Sequence, residues 1–161
     1  DSLFGPAYKG ITLCIATAIA LRQHFDVDTC YSFDRKEIKE HGEGGWLVGK
    51  IPAEGDRLVL VDDGITDGAT KIEMISRLRE ATQAKVLGLI IALDREEMNA
   101  DGGNSTTALE ASTGVEVRSI ASIHDILEHL PGRRINGQVA LADETRKRFE
   151  EYLAQYGLDA S

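Results

Sequence analysis

The sequence predicts an α/β fold, a mainly parallel sheet flanked by helices. Three observations carry that expectation. Short apolar runs alternate with amphipathic segments along the chain, as consecutive β–α units require. One run, Leu58-Val59-Leu60-Val61, has no polar residue until it ends in Asp62-Asp63, so it reads as a strand buried on both faces. Glycine-bearing turns follow strand ends, at Gly5-Pro6 and again between Gly64 and Gly68, where a chain must reverse into a helix.

In order along the chain, Ser2-Leu3-Phe4 reads as the tail of a strand. The sequence opens on Asp1 without an initiator methionine, and a strand so close to the start is the expectation for a piece lacking its amino-terminal part. Residues 11–24 read as a helix whose apolar run is too short to span a bilayer. Strands are expected at residues 29–33, 58–61, 86–93 and 115–120, and helices at 69–81, 105–112, 122–130 and 142–156. Residues 34–50 are charged and then rich in glycine, a loop long enough to act as a lid. Residues 96–105 carry Asn99, Asp101, Gly102, Gly103 and Asn104, all turn formers. In the last helix Thr145, Phe149, Tyr152, Leu153 and Tyr156 read as packing, and Trp46 reads as a reporter of lid closure.

The 161 residues and 42% hydrophobic content suit one domain, residues 1–161, with a sizeable core. A net charge of −9 excludes a general binder of nucleic acid or membrane surface, because a negative field repels phosphate. Cys14 and Cys30 stand in apolar surroundings and read as two free buried thiols of a reducing compartment, so the cytoplasm is expected. His24, His124 and His129 lack metal-ligand spacing and read as structural or surface residues.

Four constellations follow strand ends, where open α/β sheets bind ligands. After Asp62-Asp63, residues Gly64, Ile65, Thr66, Asp67, Gly68, Ala69 and Thr70 lead into a helix. Backbone N–H groups there suit a phosphate, and the two acids suit ribose hydroxyls or a magnesium ion. A solvated turn with a threonine cap is the plain alternative. Asp67 opposes a phosphate by charge. The second constellation, Gly5-Pro6-Ala7-Tyr8-Lys9-Gly10, sets Lys9 near a helix amino terminus, or leaves it as a solvated turn lysine. The third clusters Arg35, Lys36, Lys39 and His41 ahead of a glycine tract. A loop so built closes over a polyanion, unless Glu37, Glu40 and Glu43 merely balance it. In the fourth, Leu93-Asp94-Arg95-Glu96, Arg95 either grips a substrate carboxylate or pairs with Asp94 or Glu96.

Phe4-Gly5-Pro6-Ala7-Tyr8-Lys9-Gly10, Phe33-Asp34-Arg35-Lys36-Glu37 with Lys39 and His41-Gly42-Glu43-Gly44-Gly45, Val61-Asp62-Asp63 and Ala92-Leu93-Asp94-Arg95 together closely resemble the orotate phosphoribosyltransferases. The match is strong over about residues 3 to 95, and the lid sequence separates this family from its adenine and hypoxanthine relatives. The resemblance implies a phosphoribosyltransferase, Rossmann-like core with a flexible lid and a missing amino-terminal hood. It implies transfer of 5-phosphoribosyl from phosphoribosyl pyrophosphate (PRPP) to orotate, with Mg2+ carried by PRPP rather than held directly by the chain. A homodimer sharing its lid across the interface is also implied.

By position, Asp62 and Asp63 would hold the ribose hydroxyls, and Gly64 to Thr70 would cradle the 5-phosphate. Tyr8 and Lys9 would face pyrophosphate. Arg35, Lys36, Lys39 and His41 would be lid cations, and Arg95 and Thr66 would meet orotate. Lys39, His41, Lys9 and Asp63 are the expected catalytic set. Gly64, Asp67 and Ala69 depart from the usual Asp-Asp-Val-Ile-Thr-Ala-Gly-Thr loop. A transferase for another base, or a non-catalytic PRPP-binding regulator, would share much of this pattern.

Overall fold

The computed structural model describes residues 1–36, 45–66 and 68–158. Lys39, His41 and Asp67 lie outside the described residues. In chain order the elements are β1 (Ser2–Gly5), α1 (Lys9–Phe25), β2 (Cys30–Asp34), β3 (Leu47–Gly49), β4 (Arg57–Asp62), α2 (Ala69–Thr82), β5 (Lys85–Asp94), α3 (Ser105–Thr113), β6 (Glu116–Ser122), α4 (Ile123–His129), β7 (Arg134–Ile135), β8 (Gln138–Val139) and α5 (Asp143–Tyr156).

Six strands form one sheet in the order β3-β2-β1-β4-β5-β6, and β7 and β8 form a separate antiparallel hairpin. Every pairing in the main sheet is parallel except β2 with β3. The chain leaves β1 toward β2 on one side and leaves β4 toward β5 on the other. The order of winding therefore reverses between β1 and β4, and a crevice opens beyond their carboxyl ends.

Period-two alternation in the central strands supplies two cores. Phe4, Leu58 and Leu60 point to one face and meet Met74, Ile75 and Leu78 of α2 and Leu109 of α3. Leu3, Val59 and Val61 point to the other and meet Cys14, Ala18 and Leu21 of α1. Strand β3 lies within the stretch expected to be loop. Its three residues were illegible because an edge strand this short carries no period, yet it pairs Asp34 with Leu47 and Phe33 with Val48. Trp46, just before it, is not a free lid residue. Its ring lies edge-on to Phe4 at 6.4 Å, with the Arg77 guanidinium 4.2 Å from its centroid.

The expected pair of buried thiols is corrected at one position. Both cysteines are free, but only Cys14 is buried; Cys30 is the first residue of β2 and is exposed at the strand's start. Burial pushes the Cys14 thiol up to about 11. The neutral thiol is thus favoured in the fold, and this contribution, full below the ordinary 9.0, is lost as pH rises from there through about 11. Thiol–disulfide titration near about pH 8 should give one fast equivalent from Cys30 and a second only after denaturation. Two fast equivalents would contradict the packing of Cys14.

Among the described residues no helix is long and apolar enough to cross a membrane.

Candidate active site

The crevice at the β1/β4 reversal holds a pocket of about 360 Å³. It gathers most of the expected set: Tyr8 and Lys9 from the β1–α1 turn, Lys36 from beyond β2, Asp62, Asp63, Gly64, Ile65, Thr66, Gly68 and Thr70 after β4, and Arg95 after β5. Four cations, Lys9, Lys36, Lys71 and Arg95, face two carboxylates there. A cation-rich pocket in a chain of net charge −9 focuses attraction for a polyanion on one place.

The β1–α1 turn is held by close backbone approach. A Cβ on Gly5 would run into the Gly10 carbonyl, and one on Gly10 would come within 2.9 Å of the Val61 carbonyl. The Ala7–Tyr8 peptide is cis. The Ala7 N–H donates to Asp34 Oδ1 at 2.6 Å, which ties this turn to the end of β2. Lys9, at the start of α1, donates to Asp63 Oδ2 at 2.6 Å. The Lys36 ammonium sits 5.8 Å from the Tyr8 ring centroid.

Beyond β4 the two acids differ. Asp62 is buried, receives Lys71 on Oδ2 and accepts the Asp63 N–H on Oδ1 at 2.9 Å. Asp63 is open to the pocket. Partial burial opposes its ionisation, but the hydrogen bond and charge of Lys9 outweigh that and hold its carboxyl below 3.8. The same hydrogen bond raises Lys9 above 10.5. Ile65 turns its side chain into the core, 8% exposed, and anchors the loop. Gly68 takes a φ of 81° as the residue before α2, a left-handed turn that glycine adopts without a Cβ penalty. Gly64, which departs from the usual loop, fits a tight spot, since its Cβ would lie 3.2 Å from the Leu93 carbonyl.

Two expected residues stand apart from the pocket lining. Ala69 begins α2. Arg35 lines a different pocket with Trp46 and Leu47, and its N–H donates to the Trp46 carbonyl at 2.7 Å. Arg95 pairs with Glu97, at 2.5 Å, rather than with Asp94 or Glu96. Three supporting residues escaped the sequence reading: Lys71, Asp34 and Ser105, whose Oγ donates to the Thr66 carbonyl at 2.7 Å. Ser105 was hidden because its partner lies across the fold. Lys71 left a faint signal as a cation in the first turn of α2.

A larger, mostly apolar groove of about 540 Å³ lies between α5 and the end of β5 and shares Arg95 with the pocket. Helix α5 is fastened there by the bridge between Glu97 and Gly157. None of its residues is fully buried, so it caps the groove rather than packing into the core.

No family model matches the chain. The chain is 37% identical over 160 residues to the orotate phosphoribosyltransferase of Lachnoclostridium phytofermentans, covering 99% of this chain and 71% of that protein. The chain belongs to the orotate phosphoribosyltransferase family. The crystal structure of the Francisella tularensis orotate phosphoribosyltransferase superposes with a TM-score of 0.74 at 28% identity, covering 98% of this chain and 70% of that one. A Mycobacterium tuberculosis orotate phosphoribosyltransferase in complex with 5-phospho-α-D-ribosyl 1-diphosphate shares the fold, with a TM-score of 0.59 at 18% identity, over 78% of this chain and 64% of that one. The phosphoribosyltransferase expectation for the fold holds.

Proposed function

We propose that this chain, as a phosphoribosyltransferase core, transfers a 5-phosphoribosyl group from PRPP to orotate, giving orotidine 5-phosphate and pyrophosphate. The observation that carries the reading is the meeting of Tyr8-Lys9 and Asp62-Asp63 in one cation-rich pocket at the β1/β4 reversal, within a chain of this family. Asp62 and Asp63 accept from the ribose 2- and 3-hydroxyls, and Gly64 to Thr70 receive the 5-phosphate. Tyr8, Lys9 and Lys36 receive the pyrophosphate, and Arg95 receives the orotate carboxylate with Thr66 beside the base.

Breaking the bond between the anomeric carbon and pyrophosphate leaves positive charge on the sugar and adds negative charge to the leaving group. Asp63 stays ionised beside the sugar, while Lys9 offers its cation to the leaving oxygens. Lys39 and His41, with Arg35, complete that cation set from the lid of a neighbouring subunit in a homodimer, and closure keeps water from the sugar cation.

Magnesium fits as a guest of the substrate. Asp62 and Asp63 are the carboxylate oxygen donors that line the pocket. When bound on pyrophosphate, the ion neutralises leaving-group charge. The two free cysteines suit a reducing compartment, and the cytoplasm is the location that goes with this reading.

A base panel tests the reading. With PRPP and Mg2+, the chain should consume orotate and leave adenine, hypoxanthine and uracil untouched. Consumption of another base in place of orotate, or of none by a chain that binds PRPP, would overturn it.

A further inference from the structure

We propose that Lys71 is a phosphate-binding residue, stored on Asp62 in the free site and transferred to the 5-phosphate as the ribose hydroxyls take Asp62. The inference rests on the PRPP reading of the pocket and assigns a role that the sugar-phosphate loop motif does not include.

Lys71 and Asp62 both line the pocket and pair with each other, their side chains only 15% and 7% exposed. A cation so enclosed is retained only against a partner charge. Asp62 in turn has both carboxylate oxygens engaged, by Lys71 and by the Asp63 N–H. Each oxygen already carries one donor, and ribose hydroxyls reach Asp62 most fully when the Lys71 ammonium withdraws. The acid and the cation therefore each hold what a sugar phosphate would replace: hydroxyls for Asp62 and phosphate oxygens for Lys71.

The loop needs such a cation. Ala69 lacks a hydroxyl donor, and the Lys71 and Ile72 amides are already turned to the Gly68 carbonyl at 3.0 Å each. Lys71 stands in the same first turn of α2, so its four-carbon stem carries the ammonium from Asp62 to the mouth of the loop without moving the helix.

Calorimetric titration of the full chain with ribose 5-phosphate and, separately, with pyrophosphate tests this, using Lys71→Met, Lys71→Gln and Lys71→Arg. Glutamine keeps a donor for Asp62 and guards against a fold lost to an unpaired buried acid. Met and Gln variants should bind ribose 5-phosphate about 10-fold more weakly or worse, since a charge-assisted contact is lost. The Arg variant should stay within about 3-fold, and pyrophosphate affinity should stay within about 2-fold in all three. A Gln variant that binds ribose 5-phosphate as the parent does would overturn the proposal and leave Lys71 a structural partner of Asp62. Equal losses for both ligands would also overturn it, because the effect would not be local. A parent chain binding neither ligand would overturn the reading of the pocket itself, an outcome distinct from a parent that binds both and variants that do not differ.

Discussion

Asp63→Ala is expected to lower kcat/KM for orotate phosphoribosylation by roughly 10- to 100-fold, the worth of one or two charge-assisted hydrogen bonds formed as the sugar cation develops. The fold should be unaffected, because the side chain is 44% exposed and its partner Lys9 76% exposed. Lys9→Met should fall in the same range. The two effects should not add, since each removes the other's ion pair: the double variant should lose much less than the product of the singles. Steady-state kinetics on the four proteins would check this, and a full product of losses would show that the pair does not act as a unit.

The pH dependence follows from the same pair. Asp63 is held below 3.8 in the fold, so its contribution is present above that value and lost only as pH falls through the lower folded value. Lys9 is raised above 10.5, so its contribution is full below 10.5 and lost as pH rises through the higher folded value. PRPP affinity should accordingly be flat from about pH 6 to 9 as far as these two groups are concerned.

The second large effect is structural. Gly5→Val should destabilise the chain by about 3 kcal/mol or more, because the new Cβ meets the Gly10 carbonyl on one side and Cys14 Cβ at 2.6 Å on the other. Backbone on one side and a packed helix on the other cannot both move. For a chain of this size that is a fall in Tm of roughly 6–12 °C. Gly132→Ala makes the contrast: nothing lies within 4 Å, and only the φ of 73° is strained. It should cost about 1 kcal/mol. Thermal melts of both variants would separate steric from conformational cost, and equal losses would contradict the close packing of the β1–α1 turn.

Where the sequence was legible, a single local rule dominated. The unbroken apolar run Leu58-Val59-Leu60-Val61 and the paired acids after it located β4 and the site together, and the helices from Ala69 and Ser105 fell close to their expected starts. What stayed hidden depended on contacts distant in sequence. Strand β3 exists because Leu47 and Val48 find Asp34 and Phe33 across the sheet. Cys30 looked buried among apolar neighbours, but it opens β2, where the strand's first two residues are both exposed. Arg95 had two adjacent acids as obvious partners and took Glu97 instead. Lys71 and Ser105 gained meaning only once Asp62 and Thr66 lay beside them, nine and 39 residues away.

Ligand capture at the β1/β4 reversal is the property on which the proposed activity depends. Equilibrium titration of the chain with PRPP in the presence of Mg2+, repeated with Asp63→Ala, measures it. Saturable binding, displaced by either pyrophosphate or ribose 5-phosphate and weakened at least about 10-fold by the substitution, is the predicted result. Absence of saturable binding by the parent chain, or an affinity indifferent to Asp63, would contradict it.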